Sequence, residues 1–141
     1  MAFSEGPILI SRISETTLST SYLYRGLTMT SQGYVYEMTA STGTIFPFGV
    51  CYGVTKTTTT ESEAIPVAIG GIVKLAMTTD STQVQGQLVA FSSEGYGIIP
   101  TTNDYVVGRI IEVTTGGTHN IASVAFWNVP VLYAARMLLT T

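Results

Sequence analysis

The chain has 141 residues and a mass of 15.0 kDa, enough for one domain with a sizeable core. Charged residues make up 11% and hydrophobic ones 45%, which excludes a disordered, charge-rich chain. The net charge is −3, and the six cations (Arg12, Arg25, Lys56, Lys74, Arg109 and Arg136) are spread singly, which excludes the basic footprint of a nucleic-acid binder.

The chain has 23 threonines, and valine, isoleucine and tyrosine accompany them; all four favour the pleated, half-buried surface of a strand. An all-β protein is expected. Cys51 is the only cysteine, so an internal disulfide and a thiolate zinc cluster are both excluded; in FPFGVCYGV it reads as a small buried hydrophobe.

The first segment, residues 1–9, is MAFSEGPIL. It has no cationic stretch and carries Glu5, so it is expected not to be a signal peptide. Pro7 disfavours helix at Gly6 and cannot donate a backbone hydrogen bond, which predicts an extended arm. Phe3, Ile8, Leu9 and Ile10 are too apolar for a free tail in water. Such an arm is expected to order itself on a partner's surface or an adjacent protomer, with Phe3 and Ile8 as anchors beside Pro7 and Ile10; an ordinary edge strand of its own barrel is the alternative.

Residues 10–126 read as a single β domain written twice. LTMTSQGYVYE (27–37) returns as VAFSSEGYGII (89–99) after 62 residues, and pairing 10–36 with 72–98 needs no gap. Identities include Ile10/Ile72, Ser31/Ser93, Gly33/Gly95 and Tyr34/Tyr96, with Arg12/Lys74 a conservative pair. The register then shortens by three, laying FPFGVCYGVT (46–55) on YVVGRIIEVT (105–114) and Gly49 on Gly108. Finally AIPVAI (64–69) lies on IASVAF (121–126). The pseudo-repeats are 8–69 and 70–126, each predicting five short strands separated by turns. Ser-Gln-Gly and Ser-Glu-Gly are hairpin connections whose glycine supplies a positive φ. Gly70-Gly71 allows a sharp bend between the halves, and one fused barrel or sandwich with a shared core is expected.

The tail, residues 127–141, is apolar, but Asn128, Pro130 and Arg136 interrupt the run that leads into it. It lacks the ~20 unbroken apolar residues of a membrane span. Val131, Leu132, Ala135, Leu138 and Leu139 recur at helical spacing, which allows a short docked C-terminal helix, with Leu132 and Leu138 at or near subunit contacts or, alternatively, docked within the molecule to cap the barrel.

Chemistry is sparse. His119 is the only histidine, Glu61 and Glu63 flank Ser62 in a polar loop, and Asp80, Asn103 and Asp104 read as turn formers. AIGGIVK lacks the spacing of a phosphate cradle. No catalytic set, cofactor or metal site is expected, and the protein is expected not to be an enzyme. Trp127 and the eight tyrosines could build a sugar-stacking platform, though their positions fit core or subunit contacts better.

Residues 64–126 resemble small capsid decoration proteins of tailed bacteriophages, also called cement or head-stabilisation proteins. The resemblance rests on Gly71-Ile72-Val73, Gly86-Gln87-Leu88-Val89, Gly95 and Gly108-Arg109-Ile110-Ile111-Glu112. Many relatives carry Asp where Gln87 stands. The resemblance implies a small β-barrel or β-tulip, a homotrimer, and the major capsid protein as partner on the outer surface of the virion; the arm at 1–9 would then contact the capsid surface or an adjacent protomer. It also implies synthesis in the host cytoplasm, with no nucleic-acid or membrane partner. Other structural virion parts (tail, spike or fibre) and a small carbohydrate-binding β-module are the alternative readings.

Overall fold

The two Gly-Tyr turns fold identically. Thr30 donates to the Tyr34 carbonyl at 2.7 Å and accepts from Gly33 at 3.0 Å; Ser92 does the same with Tyr96 and Gly95 at the same distances. The Thr30 hydroxyl oxygen also receives the Tyr34 N–H at 3.2 Å, and the Ser92 hydroxyl that of Tyr96 at 3.1 Å. Gly33 and Gly95 stand at φ 88° and 86°, the left-handed region that the turn requires.

These turns lie within a computed structural model that describes residues 6–15, 18–38, 47–53, 63–78, 83–101, 104–114 and 120–132, without the side chains of 114 and 128–132. The elements are β1 (Pro7–Ser14), a 3-10 turn (Thr20–Tyr22), β2 (Gly26–Met29), β3 (Val35–Glu37) and β4 (Pro47–Cys51), followed by β5 (Glu63–Ala76), β6 (Leu88–Phe91), β7 (Gly97–Ile98), β8 (Tyr105–Thr114) and β9 (Ile121–Leu132). The protein is all-β.

Strands β1-β3-β2-β4-β5 follow one another, and β5 pairs back onto β1, closing a five-stranded barrel. The second half repeats the circuit as β5-β9-β8-β6-β7, with Met77 bridging in parallel to Gly97 as Ser14 bridges to Val35. The internal repeat is therefore present in the strand order itself. Even the irregularities recur. Leu27 faces Gly49 and Val89 faces Gly108, and each pair is followed by a bulge before the next residue.

The pairing corrects one detail of the sequence match. Ser14 and Met77 occupy equivalent bridges and stand 63 apart, whereas Val35 and Gly97 stand 62 apart. Ile10 thus corresponds to core residue Val73 rather than to Ile72, and Ser11 rather than Arg12 corresponds to Lys74. A one-residue slip turns every side chain to the opposite face, so the basic pair Arg12/Lys74 is not an equivalent pair.

The expected single core is also divided. Leu18, Tyr22, Leu27, Val35, Cys51, Ile65 and Val67 fill the first barrel. Residues of the second half, among them Val73, Leu75, Met77, Val89 and Val124, form the other cluster, which Met38, Val50 and Ala68 of the first half join. The halves are welded rather than tethered, because β5 runs through both without a break. Gly71, at φ 77°, takes up the bend as the chain passes from one barrel to the next, opposite the register shift between Ile8 and Leu9.

The seam between the barrels is polar in its bonds and aromatic in its packing. Gly26 donates to the Gly95 carbonyl at 2.8 Å, Ala76 to the Tyr24 carbonyl at 2.9 Å, and Lys74 to the Tyr52 hydroxyl. The Arg25 guanidinium lies between the rings of Tyr22 and Tyr96, 4.2 and 4.3 Å from their centroids, and binds the Glu94 carbonyl. A cation held between two aromatic faces adds to the hydrogen bonds by attraction to both quadrupoles.

Cys51, as expected, is fully buried, and its thiol donates to the Gly53 carbonyl at 2.9 Å. Burial pushes the thiol up to about 11. A raised pKa stabilises the fold below the unfolded value, roughly 8.5, and that contribution is lost as pH rises through the folded value. Urea titrations at pH 8 and pH 11 should show the wild type losing roughly 2 kcal/mol more than Cys51→Ala, which keeps only the losses from groups such as Tyr22 that titrate in both proteins. Equal losses in the two proteins would mean that the thiol does not titrate with folding.

Candidate functional site

Pro7, Ile8, Leu9 and Ile10, placed by sequence at the end of a free arm and the start of the domain, all belong to β1. They pair along β5 in register Pro7↔Gly71, Ile8↔Gly70, Leu9↔Ala68 and Ile10↔Val67. The reason is steric: the two glycines let the proline-led strand lie close, with the Gly6 carbonyl 2.6 Å from where a Gly71 side chain would begin. The described part of the expected arm is thus an edge of its own barrel. Phe3 lies outside the described residues.

Ile69 of β5 is the extra residue of a bulge opposite the Ile8–Leu9 step, and there Ile8 and Leu9 both face solvent, at 58% and 49% exposure. Ile10 instead packs against the first core. Because Gly70 and Gly71 carry no side chains, a hollow of about 530 Å³ opens beside Ile8. Ile69, Phe126 and Trp127 complete its lining, and none of the six residues is charged. Trp127, assigned by sequence to the tail, is here part of β9 beside the hollow.

β9 continues through Pro130, pairing Val131 with Val106 and Leu132 with Tyr105. The first residues of the expected C-terminal helix are therefore strand; the growing ladder with β8 offers their backbone partners that a helix would have to forgo. Leu138 and the rest of residues 133–141 lie outside the described residues, as do Glu61 and His119.

A second hollow, of about 490 Å³, lies against β1 and the Gly33 turn, lined by Ser11, Arg12, Ile13, Met29, Gln32, Gly33 and Tyr34. Ile13 and Tyr34 are 41% and 40% exposed there. Besides these and Ile8 and Leu9, Val84 and Ile111 are the large apolar side chains turned outward among the described residues, both on the second barrel. Sequence reasoning did not place Ile13, Val84 or Ile111 at a contact surface. The signal was present in β8, where the run Ile110-Ile111 must turn one apolar side chain away from the core.

Among the described residues, no three His, Cys, Asp or Glu side chains gather as a metal site. The arrangement offers apolar contact and unpaired strand edge instead. No protein-family model and no curated protein sequence matches the chain.

Proposed function

We propose that the protein is a capsid decoration protein of a tailed bacteriophage. It binds the outer surface of the assembled major capsid lattice as a homotrimer and stabilises it. The observation that carries this reading is the uncharged hollow at Ile8, Ile69, Gly70, Gly71, Phe126 and Trp127, with Leu9 exposed next to Ile8 on the same strand. A surface of this kind is suited to covering and being covered. The resemblance of residues 64–126 to decoration proteins supplies the identity of the partner.

The mechanism is mass action. A partner that binds only the expanded lattice lowers its free energy relative to every disrupted state, and a trimer engages three sites together. Burying Ile8 alone contributes on the order of 1.5–3 kcal/mol per copy.

The test is sedimentation of the purified protein with expanded capsids stripped of decoration. The wild type should pellet with them saturably, and Ile8→Asp should need at least about tenfold more protein for the same occupancy. A folded wild type that stays in the supernatant at every concentration would remove the capsid reading. Ile8→Asp binding like the wild type would remove this hollow from the contact.

A further inference from the structure

The seam inside the molecule has two faces, and the repeat supplies a second, uncovered copy of each. On the first barrel the seam uses Tyr22, Tyr24, Arg25 and Tyr52; on the second it uses the N–H groups of Lys74 and Ala76 and the carbonyls of Glu94 and Gly95.

The counterparts follow from hydrogen bonding. Tyr24 donates to the Cys51 carbonyl at 2.8 Å, and Gly86 donates to that of Ile110 at 2.8 Å. Cys51 donates to the Arg25 carbonyl at 2.8 Å, and Ile110 to that of Gln87 at 2.8 Å. Tyr24, the only described non-glycine residue at positive φ (65°), thus matches Gly86 at φ 88°. One step along each chain Gln87 matches Arg25 and Ile111 matches Tyr52, and two steps back Val84 matches Tyr22. In the other direction, Ser11 and Ile13 match Lys74 and Ala76, while Gln32, Gly33 and Tyr34 match Glu94, Gly95 and Tyr96.

What the seam buries, the free ends expose. Tyr22 is 2% exposed and Val84 52%; Ala76 is 6% exposed and Ile13 41%. A side chain at Gly95 would meet the Gly26 carbonyl at 2.8 Å, whereas Gly33, in the same turn, has nothing within 4 Å. Of the six large hydrophobic side chains exposed among the described residues, Ile13 and Tyr34 lie on one free face, and Val84 and Ile111 on the other. The hollow of about 490 Å³ occupies, on the first barrel, the position that the Tyr24–Arg25 segment fills on the second.

We infer that these two free faces bind each other between copies of this chain. The Val84, Gly86, Gln87 and Ile111 face of one molecule seats in the hollow at Ile13, Gln32, Gly33 and Tyr34 of the next. The association is head-to-tail, so every added copy presents the same free face again until a ring closes. Backbone polarity fits it. Glu15 donates to Val35 across the open edge of β1, and in the two-residue rhythm of a strand the N–H groups of Ile13 and Ser11 face the same way. Their matches, Ala76 and Lys74, donate to the Tyr24 carbonyl and the Tyr52 hydroxyl. The neighbour's Gly86 carbonyl takes the place of the Tyr24 carbonyl; Arg109 holds it at 2.6 Å, and it keeps a second lone pair. The inference does not rest on the capsid reading, and its test uses the free protein alone.

Two variants separate the faces: Ile13→Asp with Tyr34→Asp blocks the hollow, and Val84→Asp with Ile111→Asp blocks the face that enters it. In sedimentation velocity over a concentration series, the wild type should associate, and each variant alone should remain monomeric with an unchanged circular dichroism spectrum. Mixed in equal amounts, the variants should form a one-to-one dimer and nothing larger, since one intact hollow meets one intact face. The inference is overturned by a wild type that is monomeric at its solubility limit, by either variant associating like the wild type, or by a mixture that stays monomeric. If a variant loses its fold, Gln32→Cys with Gln87→Cys in a Cys51→Ser background decides instead. These positions match Glu94 and Arg25, so oxidation should give a ladder of disulfide-linked chains that neither single cysteine gives. Absence of the ladder overturns the inference.

Discussion

Gly95→Ala should destabilise the protein by about 3–4 kcal/mol, and Gly33→Ala by only about 1 kcal/mol. The two turns share their hydrogen bonds and their positive φ, so the cost of forcing an L-residue into the left-handed region, ~1–2 kcal/mol, is common to both. The difference comes from the surroundings. A methyl group at Gly95 meets the Gly26 carbonyl at 2.8 Å, the Tyr22 hydroxyl at 2.9 Å and the Gly26 nitrogen at 3.0 Å; at Gly33 it meets nothing. Backbone cannot yield as a flexible side-chain tip does, so the barrels must part slightly, adding overpacking of roughly 1–3 kcal/mol. Urea denaturation of dilute protein reads the contrast directly. Equal losses at the two glycines would mean that the seam is not packed as described.

Tyr22→Phe should cost about 2–4 kcal/mol although it removes a single oxygen. The ring is 2% exposed, and its hydroxyl both donates to the Gly26 carbonyl at 2.5 Å and accepts the Met38 N–H at 2.7 Å. Phenylalanine keeps the ring beneath Arg25 but leaves a buried carbonyl and a buried N–H without that partner, each at roughly 1–3 kcal/mol. Burial holds the Tyr22 phenol well above the usual tyrosine range, so it remains a donor throughout the neutral range. Because that pKa is raised, its contribution is complete below the unfolded value of roughly 10 and is lost at higher pH. A loss under about 1 kcal/mol at pH 7 would show that the hydroxyl is dispensable.

The parts of this fold that were legible in the sequence are those fixed by local chemistry. The Ser-x-Gly-Tyr turns demand a residue at positive φ, and glycine appears at both. Gly49 and Gly108 mark the same bulge in β4 and β8, which is why a register change of three could be read there. The slip in β1 was hidden because serine and threonine matches carry no information about which face a residue takes. The strand character of β9 past Pro130 was hidden too, since a run of apolar residues fits either period until its neighbour β8 is known. The seam was least visible. Tyr22, Arg25 and Tyr96 come together only once two barrels are built, and nothing in their spacing marks them as partners.

β5 has a consequence for how the molecule comes apart. Its residues 63–69 close the first barrel while 70–76 open the second, so neither barrel owns a complete set of strands once the other has melted. Loss of β1 or β4 strips one end of β5, and the freed strand then pulls on its ladder with β9. Unfolding is therefore a property of the whole chain rather than of two halves in sequence, with one denaturant slope that reflects the surface of both barrels together. Amide protons near Gly70 and Gly71, at the middle of that strand, exchange only when this shared event occurs.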